Sequence, residues 1–293
     1  HVNKGQSSND VIPTAAHLAT LIAIEEELIP ALTALGSGFH EKEKEFWDVI
    51  KTGRTHLQDA VPIRLGQEFQ GYKSQIELSL ERFARAKMAL REVALGGTAV
   101  GTGLNTHPQL AKRACRMITK HLKSAGLEVE IKETRYHFAA QNTMNGLLEV
   151  SAALRAIALD LSKIATDLAW MNSGPVAGLG EIRLPELQPG SSIMPGKVNP
   201  VIPEVVRQIE ARVTGNDLTV SRAAAGGNFE LNTMWPIAIY AVLESVSLLA
   251  NAARALHEKC VVGIIATSRG PELVEKGFML ATVLAPYVGY KKA

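Results

Sequence analysis

The run Gly190-Ser191-Ser192-Ile193-Met194-Pro195-Gly196-Lys197-Val198-Asn199-Pro200 gathers two hydroxyls, an ammonium and an amide between glycines and prolines. Glycine lets a backbone approach a ligand closely, and proline fixes the chain path. The combination suits a clamp for a small anion, with a hydroxyl poised over it. A solvated surface loop shares the same composition, so the residues alone leave both readings open. Gly53-Arg54-Thr55-His56-Leu57-Gln58-Asp59 sets a histidine in a polar turn. Imidazole titrates near neutrality, which makes His56 a candidate proton carrier. The plainer reading is a capping turn, in which Thr55 or Asp59 satisfies backbone donors. Gln6-Ser7-Ser8-Asn9-Asp10 stands just before a helix. Free N–H groups and the helix dipole favour a carboxylate there, although the same residues make an ordinary N-cap.

A fourth stretch, Gly96-Gly97-Thr98-Ala99-Val100-Gly101-Thr102-Gly103-Leu104-Asn105-Thr106, superficially resembles a nucleotide loop. No Lys-Ser/Thr follows its last glycine and a helix, not a strand, precedes it. It reads as tight backbone packing near a site. The remaining histidines are isolated and show no metal-ligand spacing. The acidic run Glu25-Glu26-Glu27 reads as a solvated helix face, and Trp170, Met171 and Trp235 as core or interface.

The elements that must position these loops are long amphipathic helices. Leu147, Val150, Leu154, Ile157, Leu161, Ile164, Leu168 and Met171 recur at alternating steps of three and four, the seam of a bundle helix. A second seam is predicted through Leu65, Phe69, Tyr72, Ile76, Leu80 and Phe83, entered after Pro62. A third runs through Ile239, Leu243, Val246, Ala250 and Ala253 after Pro236. Another helix is expected from about Pro13 to Leu35, with Leu18, Leu21, Leu28 and Leu32 on one face. One more starts near Pro203, through Val206, Ile209 and Val213. Strand signals are scarce: Leu127-Glu128-Val129-Glu130-Ile131 alternates briefly and suits a short edge piece. The expected fold is therefore all-α, a long up-down helical bundle with little β structure, whose polar loops at residues 4–10, 53–62, 96–108 and 173–200 carry the function.

With 293 residues, 46% hydrophobic and 20% charged, the chain is globular and long enough to bury a core. A net charge of +2 gives no footprint for nucleic acid or an anionic membrane. Two distant cysteines, Cys115 and Cys260, form no disulfide framework and fit a reducing compartment. No apolar run reaches the roughly 18 residues that a membrane span needs, and candidates such as Leu231–Leu243 are too short. The chain lacks a starting Met and an apolar leader, and reads as a piece of something longer. Residues 1–262 are expected to form the bundle and 263–293 the beginning of a small C-terminal domain.

Taken together the four loops resemble the class II fumarase branch of the fumarase/aspartase superfamily. GSSIMPGKVNP at 190–200 carries the likeness most specifically, with GRTHLQDAVP at 53–62, VNKGQSSND at 2–10 and GGTAVGTGLNT at 96–106 in family order. The resemblance implies a helical bundle assembled as a homotetramer, each active site built from loops of three subunits. The bundle seams agree with this, since a lone subunit is not expected to bury them completely. It implies interconversion of fumarate and (S)-malate, without metal or organic cofactor, in the cytoplasm or, in a eukaryote, the mitochondrial matrix. By residue, it makes Ser191 the base that takes a proton from the carbon next to a carboxylate. His56 handles the leaving hydroxyl through a water, and Glu204 pairs with that histidine. Lys197 and Asn199 hold the substrate carboxylate, with Ser7, Ser8, Asn9, Thr55 and Ser192 as further contacts.

The nearest rival is aspartate ammonia-lyase, with the same fold and the same carbanion. Ser7-Ser8-Asn9, Gly96-Gly97-Thr98 and Gly227-Asn228-Phe229-Glu230-Leu231-Asn232 lean toward fumarase. Val176 stands after Ser173-Gly174-Pro175 where many relatives carry Arg. The family's N-terminal domain, with further substrate contacts, is absent, so an inactive structural core is the reading from another class.

Overall fold

The structure is a computed structural model describing residues 4–292; Val2 and Asn3 of the 2–10 motif lie outside the described residues. About 62% of it is helix and 9% strand. The eight-residue seam read from the sequence forms the inner face of one 27-residue helix, Asn145–Met171 (here α6), and all eight side chains are 4% exposed or less. That burial is achieved within a single chain. The expectation that the seams need a second subunit fails for this helix.

In chain order, helix α1 (Ser8–Ala23) passes through a π-helical turn, Ile24–Leu28, into α2 (Ile29–Glu45). α1 begins at Ser8 under a Ser7 cap, so Pro13 lies inside it and not at its start. The π turn adds one residue to the helical repeat and shifts the apolar face. Leu21, Leu28 and Leu32 are accordingly buried, while Leu18 is only half-buried. Glu25, inside the turn, is no free surface acid: it pairs with Lys87.

Two strands follow, β1 (Ile50–Thr55) and β2 (Gln58–Arg64), paired antiparallel. This hairpin replaces the expected polar connection at 53–62. Pro62 belongs to β2, and α3 (Leu65–Ala86) starts only at Leu65. A two-residue strand β3 (Glu92–Val93) pairs in parallel with β4 (Lys132–Glu133), after α4 (Leu110–Ser124). Leu127–Ile131, read as an edge strand, is not one; the pairing falls on the two residues after it. Short α5 (His137–Asn142) precedes α6, and β5 (Ile182–Arg183) lies inside the long 173–200 connection. Then come α7 (Val201–Ala224), the small hairpin β6 (Gly227–Asn228) and β7 (Leu231–Asn232), and α8 (Trp235–Leu256). The chain ends through β8 (Ile265–Ala266), α9 (Arg269–Lys276) and α10 (Leu280–Val288). Trp235–Val261 is long and apolar enough to cross a membrane, at mean hydropathy 1.5, which the sequence reading did not register; half of it is buried inside the protein.

The chain divides into two compact units interleaved in sequence. One comprises residues 1–31, 78–159 and 209–251; the other comprises 32–77, 160–208 and 252–293. In the first, Leu21, Ile24, Leu28, Val150, Ile157, Val220 and Val246 are buried at 1% or less. Its central helices are also cross-linked by polar groups. The buried Asp217 carboxylate accepts from Ser151 Oγ at 2.7 Å and Arg155 Nη1 at 2.7 Å. In the second unit, Phe39, Phe46, Phe69 and Tyr72 form a ring cluster with centroids 5.3–6.3 Å apart. That spacing suits edge-to-face packing. In the same unit β1 contacts α9.

Candidate active site

In the second unit the hairpin turns over two residues, His56 and Leu57, with Thr55 paired to Gln58. Both turn residues have left-handed backbones, at φ 57° and 59°. Two-residue turns of this hand match the twist of the strands and normally use Asn-Gly. His and Leu carry a steric penalty there, and such strain persists only where the surroundings over-determine it. Thr55, His56 and Leu57 are all exposed at the tip. The register shifts between Thr52 and Arg54. Between them Gly53 passes so close to the other strand that a Cβ would sit 2.7 Å from the Val61 carbonyl oxygen.

Close to this tip in sequence, Arg54 belongs to a cluster of buried charges that the sequence reading missed. Glu181, 1% exposed at its side chain, faces two cations. Arg54 Nη1 donates to its Oε2 at 3.1 Å, and Nη2 stands 2.9 Å from Oε1 at an angle outside hydrogen-bonding geometry. Lys51 Nζ lies 3.1 Å from Glu181 and donates to Glu68 at 2.9 Å. Glu181 is fixed at its own backbone too, donating to Met171 and accepting from Thr267. Arg54 is two residues from His56, so the latch acts close to the tip. Beside it an open cleft of about 580 Å³ is lined by Lys51, Arg54, His56, Glu68, Tyr72 and Asp167, among others. Tyr72 Oη donates to Asp167 at 3.0 Å, and Lys163 pairs with the same carboxylate. Burial pushes the Tyr72 hydroxyl well above its usual range and raises the Glu68 carboxyl, against the pull of Lys51.

The 190–200 loop belongs to the same unit and is closed at its neck. Asn199 Nδ2 donates to the Gly190 carbonyl at 3.2 Å. A Cβ on Gly190 would lie 1.8 Å from the Lys197 carbonyl oxygen, so only glycine fits. Within the loop, Ser191 Oγ accepts the backbone N–H groups of Ile193 at 3.2 Å and Met194 at 3.0 Å. Ser192 and Lys197 are exposed and Asn199 half-buried. Glu204 is exposed in the first turn of α7, its N–H on the Pro200 carbonyl. Among the described residues no hydrogen bond or ion pair joins His56 to Glu204 or to Ser191.

In the first unit Ser7, Ser8 and Asn9 stand at the start of α1. Ser7 accepts from the Asn9 N–H at 3.2 Å, and Asn9 Nδ2 donates to the Ala99 carbonyl at 2.8 Å. This ties the cap to the glycine-rich 96–106 stretch. Asp10, wholly buried, completes a capping box by accepting the Ser7 N–H. The Ser-x-x-Asp spacing was a sequence signal for it. For Glu181 there was none. Among the described residues no three His, Cys, Asp or Glu side chains gather as a metal site.

The chain is similar to known proteins along its whole length. A lyase family profile matches residues 1–215. The class II fumarate hydratase of Nitrosomonas europaea is 48% identical over 294 residues, covering all of this chain and 63% of the relative. That of Bacillus subtilis is 44% identical, covering all of this chain and 62% of the relative. Among solved structures, the class II fumarase from Schistosoma mansoni superposes with a TM-score of 0.96 at 37% identity, covering 100% of this chain and 63% of that one. A fumarate lyase:delta crystallin from Brucella melitensis bound to cobalt gives 0.93 at 46% identity, over 99% of this chain and 62% of that one. The chain thus spans about three fifths of the length of the relatives it matches. It belongs to the lyase family, and the relatives it follows from end to end bear the name class II fumarate hydratase.

Proposed function

We propose that the protein containing this chain interconverts fumarate and (S)-malate by adding and eliminating water. The observation that carries the reading is 48% identity with a class II fumarate hydratase along the entire chain. The geometry supports it. Ser191 acts as the base on the carbon next to a carboxylate. A serine is a poor base unless its oxyanion is stabilised. Two backbone N–H groups already point at Ser191 Oγ and favour that oxyanion. As the proton leaves, the substrate carboxylate gathers a second negative charge in an aci-carboxylate. Lys197 and Asn199 are the donors for it, each worth about 3–4 kcal/mol if aimed at the developing charge. Ser192, Ser7, Ser8, Asn9 and Thr55 supply the remaining contacts. His56, held out on its strained turn, passes the proton for the leaving hydroxyl through a water, and Glu204 pairs with it.

His56 and Glu204 make no pair within one chain, so this site is completed between subunits of a homotetramer. Exposed apolar side chains in the first unit support that assembly: Leu159 is 51% exposed, Leu218 64% and Tyr240 60%. The partner is a small dicarboxylate and not nucleic acid, in keeping with the net charge of +2. We place the enzyme in the cytoplasm, where the unpaired, buried Cys115 and Cys260 stay reduced. The full-length protein, incubated separately with malate and with aspartate while the absorbance of the double bond is followed, decides the reaction. Turnover of malate is expected; turnover of aspartate alone overturns the assignment in favour of an ammonia-lyase.

A further inference from the structure

In the glycine-rich 96–106 stretch the backbone N–H groups of Gly96 and Thr98 converge on one point, while those of Gly97, Gly101, Gly103 and Thr106 bond to backbone carbonyls. Gly96 has φ 101°, Thr98 57°, Gly101 97° and Gly103 68°. Alternation of left- and right-handed residues makes a concavity of N–H groups that cradles an anion. Its anion comes from the chain itself. Asp10 Oδ2 accepts the N–H of Gly96 at 2.9 Å and that of Thr98 at 3.0 Å, while Oδ1 accepts the N–H of Ser7 at 2.9 Å. Asp10 is 0% exposed, and among the described residues no Lys, Arg or His pairs with it. Its charge is met by three main-chain donors and the start of α1.

We propose that Asp10 is a positioning residue. One carboxylate oxygen occupies the cradle and the other holds the Ser7 backbone, so the glycine-rich stretch fixes where Ser7, Ser8 and Asn9 present their polar groups. This rests on the proposed role of those three residues as substrate contacts. Two further features make the cradle a rigid base. A Cβ on Gly97 would stand 2.1 Å from Gln141 Oε1, and one on Gly96 would stand 2.6 Å from the Ala111 Cβ. Gln141, itself 0% exposed, donates to the Thr98 carbonyl at 2.9 Å. Asn9 Nδ2 on the Ala99 carbonyl adds a second tie between cap and loop. With the N–H groups of 96 and 98 already engaged, the loop has no phosphate chemistry to offer.

The test uses the full-length protein and its Asp10→Asn variant. An amide in place of the carboxylate turns one acceptor into a donor facing N–H groups. Losing these charge-assisted bonds is expected to raise KM for fumarate by about 10- to 100-fold, with kcat changed far less. Hydrogen exchange at the Gly96 and Thr98 amides should accelerate about tenfold or more. In the wild type, saturating succinate, a saturated four-carbon dicarboxylate, should slow exchange at the same two amides, because coupling between cradle and site is reciprocal. An Asp10→Asn enzyme with unchanged KM overturns the proposal, and so does succinate binding that leaves both amides unaffected. If the variant does not fold, the succinate measurement decides alone. A wild type that neither hydrates fumarate nor binds succinate defeats the functional reading and the positioning role with it. The cradle is then judged separately, by exchange at 96 and 98 in the variant.

Discussion

Replacing Glu181 by Gln removes one buried charge and keeps its shape. The native carboxylate has Arg54 Nη1 at 3.1 Å and Lys51 Nζ at 3.1 Å, and is 1% exposed. At these separations each pair attracts by about 5 kcal/mol at an effective dielectric of 20. Desolvation of the three ions cancels much of that sum. In the variant, Lys51 retains Glu68 at 2.9 Å, but Arg54 is left with Asp59 at 3.7 Å, a carboxylate 68% exposed. Arg54, 13% exposed at its side chain, is then a mostly buried cation without a close anionic partner, its Nη1 keeping the Thr52 carbonyl at 3.4 Å. Breaking such a cluster from one side costs about 3–5 kcal/mol. At about 2–4 °C per kcal/mol for a domain of 150–250 residues, Tm should fall by roughly 6–20 °C. Thermal unfolding followed by circular dichroism reads the change. Hydrogen exchange across residues 50–64 should show the hairpin loosening first, with a matching loss of fumarate hydration in the full-length protein. A Tm within about 2 °C of wild type, with unchanged hairpin protection, refutes the argument that this cluster holds the His56 turn.

Gly190→Ala forces a Cβ to within 1.8 Å of the Lys197 carbonyl, so the loop neck must open; kcat/KM should fall about tenfold or more while Tm stays within about 2 °C, because the loop is largely exposed. Unchanged kinetics shows that the neck is not needed. His17 donates from Nδ1 to the Glu92 carbonyl at 3.0 Å and packs edge-on to Trp235. Burial lowers its pKa from the usual 6.5, with that hydrogen bond opposing in part. Above about pH 6.5 the ring is neutral folded or unfolded; below it the unfolded chain takes a proton that the native one refuses, so stability drops as pH falls. The urea midpoint should decrease between about pH 7.5 and 5.5 by more in the wild type than in His17→Gln, and equal decreases refute this.

The helices were legible because their seams repeat. In α6 every seam position is buried, a result periodicity alone anticipates. In α8 the phase slips. Ile239 and Leu243 are half-buried, while Ala238, Ala241 and Val242 face inward. Alanines weigh too little in a hydrophobic pattern to reveal such a face. The β1–β2 hairpin was hidden for another reason: its polar and apolar residues do not alternate cleanly, Gly53 and Pro62 interrupt the strands, and the buried Lys51 is held by ion pairs rather than by apolarity. Glu181 was illegible for the same reason, since nothing local marks a carboxylate that will meet Arg54 and Lys51 from 127 and 130 positions away. The loop residues were found by type, yet Asn199 is engaged at the neck on Gly190 and Ser191 on two backbone N–H groups.

The two groups of candidate contacts at exposed tips share one arrangement. Ser7–Asn9 adjoin the buried Asp10 in sequence, and His56 lies two residues from Arg54, which pairs with the buried Glu181. An exposed turn of a few residues has too few contacts to hold a side chain to the fraction of an ångström that catalysis requires. A buried carboxylate with several charge-assisted bonds supplies that rigidity over a short lever. The 190–200 loop lacks such a post. It is tied at Gly190 and Asn199, while Ile193 is 83% and Met194 48% exposed beyond the neck. Covering these apolar side chains with another surface would stabilise the loop. Ser191, Ser192, Lys197 and Asn199 thus share a loop tied only at its neck, whereas Ser7–Asn9 and the His56 turn stand close in sequence to residues bonded to a buried carboxylate or forming one.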